Sequence, residues 1–485
     1  VSVGRTSLLL APLAIGARGV AFFVPVVIAL WYGVVPATDA FFWVISVPTV
    51  LLILGSTTMG SVLVPVMATL RVEHPERVAP FIGAVASAAA LGAASIGVVF
   101  ALAAPVILPV LTTFDADTRA LAVGFTWAFV PFLAGVASAS VLKAACEVHG
   151  QFAGPAGAPV VRAVTTLLVV GVLRPLGPAA LAVGVIAGNL AENVLLAVVL
   201  VRAGVRPLPS LRLPPELAPA ARAFAPVLGG ETMVAMNLVV DKLFAGTAES
   251  GSVSLLEYAD RARMIPQTLL ESTLMVVAFN AWAAARARGE HEGRHRAVAT
   301  TLWWVSLLAP PVLAGMVIGR EALIRLLYSQ FTEAHVVSTA DTLGAFLPGG
   351  FAALLGALIV KAHIVEGRYK LVLALGLLSF VLNAVLDAAL LAPFGLVGLA
   401  MSTTITTGVV TVTSFARLAP DLRGALPRGA LWTAIGLVAA SAGLTLLAVA
   451  TGFRPTSVTD PRLWLASLPF LGLLALGAAR ARRGP

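Results

Sequence analysis

Phe81–Leu111, FIGAVASAAALGAASIGVVFALAAPVILPVL, contains no charged residue. About 20 apolar residues in a helix cross a hydrocarbon core of about 30 Å. The stretch therefore reads as a membrane span, and runs of the same kind recur on both sides of it. They fall at Ser7–Tyr32, Phe41–Leu70, Leu121–Leu142, Pro155–Leu173, Ala179–Val201 and Phe224–Ala245. Others fall at Met264–Ala284, Ala297–Ile318, Thr342–Val360, Leu371–Leu391, Val397–Phe415, Ala430–Leu447 and Leu463–Ala479. The count predicts an all-α polytopic membrane protein of about fourteen transmembrane helices, because only helices satisfy every backbone polar group within one such run. Composition agrees. Of 485 residues, 59% are hydrophobic and 11% charged, against about 25% charged in a soluble domain.

The charges orient the chain. With loops numbered alternately from the N-terminus, 21 of the 32 Lys and Arg residues fall on the first side, nine on the second, and Arg18 and Arg162 inside spans. Positive residues mark the cytoplasmic side, so a bacterial cytoplasmic membrane with both termini inside is expected. The net charge of +9 sits in short loops between apolar runs and points to no nucleic acid. The single cysteine, Cys146, leaves no disulfide framework. The first run is too long for a cleaved signal peptide and leads straight into a second span.

The basic, Pro-rich stretch Arg202–Arg222 divides the chain. Residues 1–203 form an N-terminal lobe of six spans, 204–222 a cytoplasmic linker, 223–418 a second lobe of six, and 419–485 a terminal pair. A faint internal echo accompanies this. Asp39 lies nine residues before Pro48 and Glu257 nine before Pro266, each followed by a Leu pair, Leu51-Leu52 and Leu269-Leu270. Transporters are commonly built from such repeats.

An ionisable side chain at the bilayer centre costs about 2.5–3.5 kcal/mol or more, so each one is a functional candidate. The candidates are Arg18, Arg162, Glu192, Glu231, Asp241, Glu271 and Asp387, with Lys242 beside Asp241. Arg18 lies mid-span, and its planar guanidinium suits phosphate oxygens; a salt bridge to Asp39 or Glu231 is the alternative. Asp39 stands where the second span begins and could equally cap the helix of Ala40-Phe41-Phe42. Arg261 and Arg263 place positive potential at the outer end of the eighth span, or snorkel to the interface. Asn383 and Asp387 share a helix face four residues apart. With Asp241 and Thr403 they offer the oxygen ligands that a hard cation takes, or else polar contacts between helices.

His291-Glu292-Gly293-Arg294-His295 matches the H-E-x-x-H zinc pattern. It falls in an Arg-rich loop, Ala285–Arg296, without a third ligand nearby, and is read as a solvated loop. No Walker-type phosphate loop is present, which argues against ATP as the driver.

Several stretches together resemble the MurJ (MviN) lipid II flippases of the multidrug/oligosaccharidyl-lipid/polysaccharide exporter superfamily. They are Val240–Ala245, Ser250–Ser254, Tyr258–Arg261 with Pro266, Ala37–Phe42 with Pro48, Phe152 with Pro155-Ala156 and Ala158-Pro159, and Tyr328–Thr332. The resemblance implies two six-helix lobes about a cationic chamber, a C-terminal helix pair beside a polyprenyl groove, and alternating access. It implies no covalent chemistry. Its implied partners are a lipid-linked cell-wall precursor, membrane lipids and other cell-wall synthesis proteins. By position it makes Arg18, Asp39 and Arg261, with Arg263 beside them, substrate-contacting. It also makes Asp241, Asn383, Asp387, Thr403 and the Leu399 carbonyl a Na⁺ site. The chain departs from the pattern at Val24 and at Leu51-Leu52, where the family carries arginine. That leaves room for another polyprenyl-linked glycan as substrate, with Arg162 or Arg263 as possible replacements for the lost charge. A cation-coupled drug exporter of the same superfamily, a membrane metallopeptidase and a non-transporting scaffold are the rival readings.

Overall fold

The computed structural model describes residues 23–267 and 291–418 except 58 and 213, a few positions from 436 to 447, and most of 451–482. Among the described residues every regular element is helical. Contacts group the chain into two compact units, Val1–Ser254 and Leu255–Pro485.

The first unit contains α1 (Phe23–Tyr32), α2 (Pro36–Thr57), α3 (Met59–Glu73), α4 (Pro75–Leu111), α5 (Ala116–Val148), α6 (Ala153–Val172), α7 (Ala179–Arg202) and α8 (Leu217–Gly246). α9 (252–267) begins at its end. The second unit holds the rest of α9, then α10 (His291–Ile318), α11 (Arg320–Leu327), α12 (Glu333–Val365), α13 (Tyr369–Ala416) and α14 (Pro461–Arg482).

Local signals set several boundaries. Asp115 caps α5 by accepting from the Thr118 amide at 2.8 Å, and Thr332 caps α12 through the His335 amide. The fully exposed Asp115 carboxyl is held below its usual range, chiefly by its hydrogen bonds from Thr118. Seven described helices are long and apolar enough to cross a membrane, and α10 and α11 form an eighth candidate bent by 73°. Their outer faces are apolar where lipid would lie. In α4, Leu102, Val106 and Val110 are 63%, 73% and 77% exposed at i, i+4, i+8 spacing.

One element reading changes, at His291–His295. The His291–His295 segment, expected as loop, lies within helix α10; the side chains there lie outside the description. The run Phe41–Leu70 is helical on both sides of residue 58, over α2 and α3. The runs Leu371–Leu391 and Val397–Phe415 are the two arms of α13, which breaks at Gly395, whose φ is +57°. A side chain is strained at that φ, which glycine tolerates. The Ser402 hydroxyl donates to the Asn383 carbonyl at 3.0 Å. Nineteen residues of straight helix would span about 28 Å, so α13 is a hairpin.

Lipid tails are as apolar as leucine, so helices in a membrane associate through close packing and polar contacts, with no hydrophobic drive. The first unit illustrates this. Leu63, Met67, Ile82, Ala145, Leu196 and Leu200 interlock across α3, α4, α5 and α7. α6 and α7 meet at Gly188, where a Cβ would lie 2.5 Å from the Arg162 carbonyl oxygen and 2.2 Å from Thr166 Oγ1.

Candidate functional site

The charged residues that the apolar runs make conspicuous fall into separate groups. In the first unit, Asp39 is 1% exposed in the first turn of α2. It does not cap its own helix, as the sequence allowed. Its Oδ2 accepts from the Gly251 amide at 2.5 Å, and its Oδ1 accepts from the Ser254 amide at 2.8 Å and hydroxyl at 2.6 Å. Asp39 thus caps the start of α9 from more than two hundred residues away, and the Ser254 hydroxyl also reaches Thr38 Oγ1 at 2.9 Å. Hydrogen bonds between a carboxylate and backbone N–H groups at a helix start are charge-assisted and favoured by the helix dipole. Lys242, 2% exposed, donates to the Val253 carbonyl at 3.2 Å and adds electrostatic attraction for Asp39.

A second cluster lies deeper in the same unit. Glu192 on α7 is fully buried, with Lys143 of α5 at 2.6 Å on one carboxylate oxygen and Arg162 of α6 at 3.0 Å on the other. Beside it, Asn193 donates to the Gly135 carbonyl at 2.9 Å. Asp241 of α8 is also buried in this unit, at 9% exposure.

In the second unit, Arg261 donates through Nε to Glu257 at 2.6 Å, with 31% of its side chain exposed. Arg263 behaves differently. It pairs with Asp260, donates to Gln267 at 3.1 Å, and lies over the Phe346 ring at 5.3 Å. Helix positions two apart do not face each other, so the two arginines do not act as one cationic pair. Tyr328 donates to the Tyr258 carbonyl at 3.0 Å and stacks on Phe331, ring centroids 4.9 Å apart, which fixes the segment before α12. Arg325 ties Glu321 to Glu333.

Four of the five predicted cation ligands lie on the α13 hairpin, two on each arm. Asn383 and Asp387 are both 0% exposed, and the Asn383 amide donates to Asp387 at 2.9 Å. On the returning arm, the Thr403 hydroxyl donates to the Leu399 carbonyl at 3.2 Å. The fifth, Asp241, belongs to the first unit. The donor set is entirely oxygen, carboxylate plus amide, hydroxyl and main-chain carbonyl, which fits a hard monovalent cation. No group of three or more His, Cys, Asp or Glu suited to a metal occurs among the described residues.

The model of the family described as "Lipid II flippase MurJ" matches residues 28–469. The chain belongs to the MurJ lipid II flippase family. A curated MurJ relative, the probable lipid II flippase of Vibrio cholerae serotype O1, is 24% identical over 368 residues, 72% of this chain and 68% of the relative. Its counterpart from Bdellovibrio bacteriovorus is 26% identical over 46% of this chain and 43% of its own length. A solved structure described as lipid II flippase MurJ in an inward closed conformation superposes with a TM-score of 0.79 at 18% identity, covering 98% of this chain and 99% of that one. An inward-facing MATE multidrug transporter of the MOP superfamily gives 0.68 at 14% identity, over 86% and 98%. These two likenesses establish the polytopic fold.

Arg18 and Glu271 lie outside the described residues. Val24, Leu51 and Leu52, where the sequence departs from the resemblance, are partly buried apolar side chains. Sequence reasoning missed the cap made by Asp39 and the pairing of Lys143 with Glu192. The only advance signal was that Arg162 and Glu192 both lie inside spans.

Proposed function

We propose that this protein is a flippase that carries a polyprenyl-pyrophosphate-linked cell-wall precursor, lipid II, across the bacterial cytoplasmic membrane by alternating access. The family match over residues 28–469 carries this reading. Arg18 and Arg261 contact the pyrophosphate; Arg261 keeps about a third of its side chain exposed while Glu257 orients it. Asp39 acts at the outer end as a latch, because its three hydrogen bonds to residues 251–254 must break for that end to open. Asp241, Asn383, Asp387, Thr403 and the Leu399 carbonyl hold Na⁺, whose binding would supply the charge that biases one state over the other. That bias requires different affinities in the two states. The apolar residues at Val24, Leu51 and Leu52 favour, as a second reading, another polyprenyl-linked glycan.

The test is rescue of a strain depleted of its own lipid II flippase. Growth with the unmutated chain, lost in Arg18→Ala and Arg261→Ala at equal expression, is the expected result. Failure of the unmutated chain to rescue would point to another lipid-linked glycan. Rescue by both variants would remove the assigned pyrophosphate contacts.

A further inference from the structure

The Lys143–Glu192–Arg162 cluster sets two cations against one carboxylate inside the first unit. Arg162 lies two positions before Val164, which is 41% exposed on the lipid stripe of α6, and Glu192 lies two positions from both Leu190 and Val194 on that of α7. Side chains two apart on a helix point to different faces, so the cluster faces the interior of the unit. Even so, 20% of Lys143 and 24% of Arg162 remain exposed, whereas Glu192 is fully buried. Two cations share one carboxylate, which leaves a single positive charge within reach of an anion. A turn before Glu192 on the same face, Asn189 is 2% exposed, and its Nδ2 has no acceptor among the described residues. A buried amide donor without a partner is costly, and a phosphate oxygen would satisfy it.

Depth fits as well. Arg162 is nine positions into α6 and Glu192 ten before the end of α7, about 14–15 Å of helix from the basic-loop side. Lys143 is five positions from the end of α5. Glu147, a turn further, feels the charge of Lys143 but is exposed, where water and salt screen it.

We propose that Lys143 and Arg162, with Asn189 beside them, form an anion site in the cytoplasmic half of the first unit that takes a phosphate of the lipid-linked substrate. The site rests on the flippase reading. Glu192 sets its strength: it orients both cations and neutralises one.

The test measures binding of polyprenyl pyrophosphate to the full chain in nanodiscs, with inorganic pyrophosphate and polyprenol as separate arms. Arg162→Gln should weaken polyprenyl pyrophosphate about tenfold, the scale of one charge-assisted hydrogen bond. Glu192→Gln should tighten it severalfold, and Arg162→Lys should restore most of the loss. Glu147→Gln should change it less than twofold. A purely structural cluster would give losses in both Arg162→Gln and Glu192→Gln, and that result overturns the site, as does an equal gain in Glu147→Gln. Folding is checked by gel filtration, and Arg162→Lys preserves the test if Arg162→Gln misfolds. Wild-type binding that no variant alters overturns the site and leaves the flippase reading intact. Binding of inorganic pyrophosphate but not of the lipid, together with failure to rescue growth, overturns both.

Discussion

Two carboxylates buried one in each unit, Glu192 and Asp387, differ in the partners seen beside them. Glu192 meets two cations, Lys143 and Arg162, while Asp387 accepts from the Asn383 amide one turn away on its own helix arm. Elsewhere both units tie buried acids to donors in the same way: Asp39 to the amides of Gly251 and Ser254, and Glu257 to Arg261. The Glu192 cluster is thus a tie between helices, whereas Asp387 is the carboxylate of the proposed ion site.

The sharpest way to break that contrast is Glu192→Ala. Removing one member of a buried ion pair costs about 3–5 kcal/mol; the partial exposure of both cations puts the loss here near about 3 kcal/mol, read as a large drop in thermal stability of the purified protein. Asp39→Ala should cost somewhat less, about 2 kcal/mol, because it strands two amides and a hydroxyl. An unchanged melting temperature would show that the latch carries no energy. Asp387→Asn is close to isosteric and should shift stability by under about 1 kcal/mol without Na⁺. It should, however, abolish the Na⁺-dependent rise in melting temperature expected of the unmutated chain, a rise that follows RT ln(1 + [Na⁺]/Kd). Glu192→Gln should leave that dependence intact, and loss of Na⁺ response in both variants would erase the distinction between the two carboxylates. The smallest effect belongs to Asp115→Ala. The folded state holds this carboxyl below its unfolded value, so its contribution is present above about pH 4 and lost as the pH falls further. Melts from pH 3 to 6 should show the unmutated chain losing slightly more stability on acidification than the variant does.

The spans were legible because long uncharged runs have no other use, and the break in α13 falls between the two runs that the sequence separated. The Asn383/Asp387 pair was legible too, being one helical turn apart. What could not be read were contacts set by tertiary packing. Asp39 meets Gly251 and Ser254 across more than two hundred residues, and its local surroundings advertised only an ordinary cap. Lys143 counted as a loop cation because it lies near the end of its apolar run, yet the α5–α7 packing brings it to Glu192. Arg261 and Arg263 looked alike in sequence, and only their different partners separate an arginine about a third exposed from one folded over Phe346.

Gly395 has a mechanical consequence. The chain reverses around one residue, so there is no slack to absorb an error in phase between the arms of the hairpin. Adding a single residue beside it would turn one arm by about 100° relative to the other and shift the contact by which Ser402 on the returning arm reaches the Asn383 carbonyl. The turn therefore works as an index pin: the spacing of the proposed ion ligands is dictated at a point four residues from Leu399 and eight from both Asp387 and Thr403.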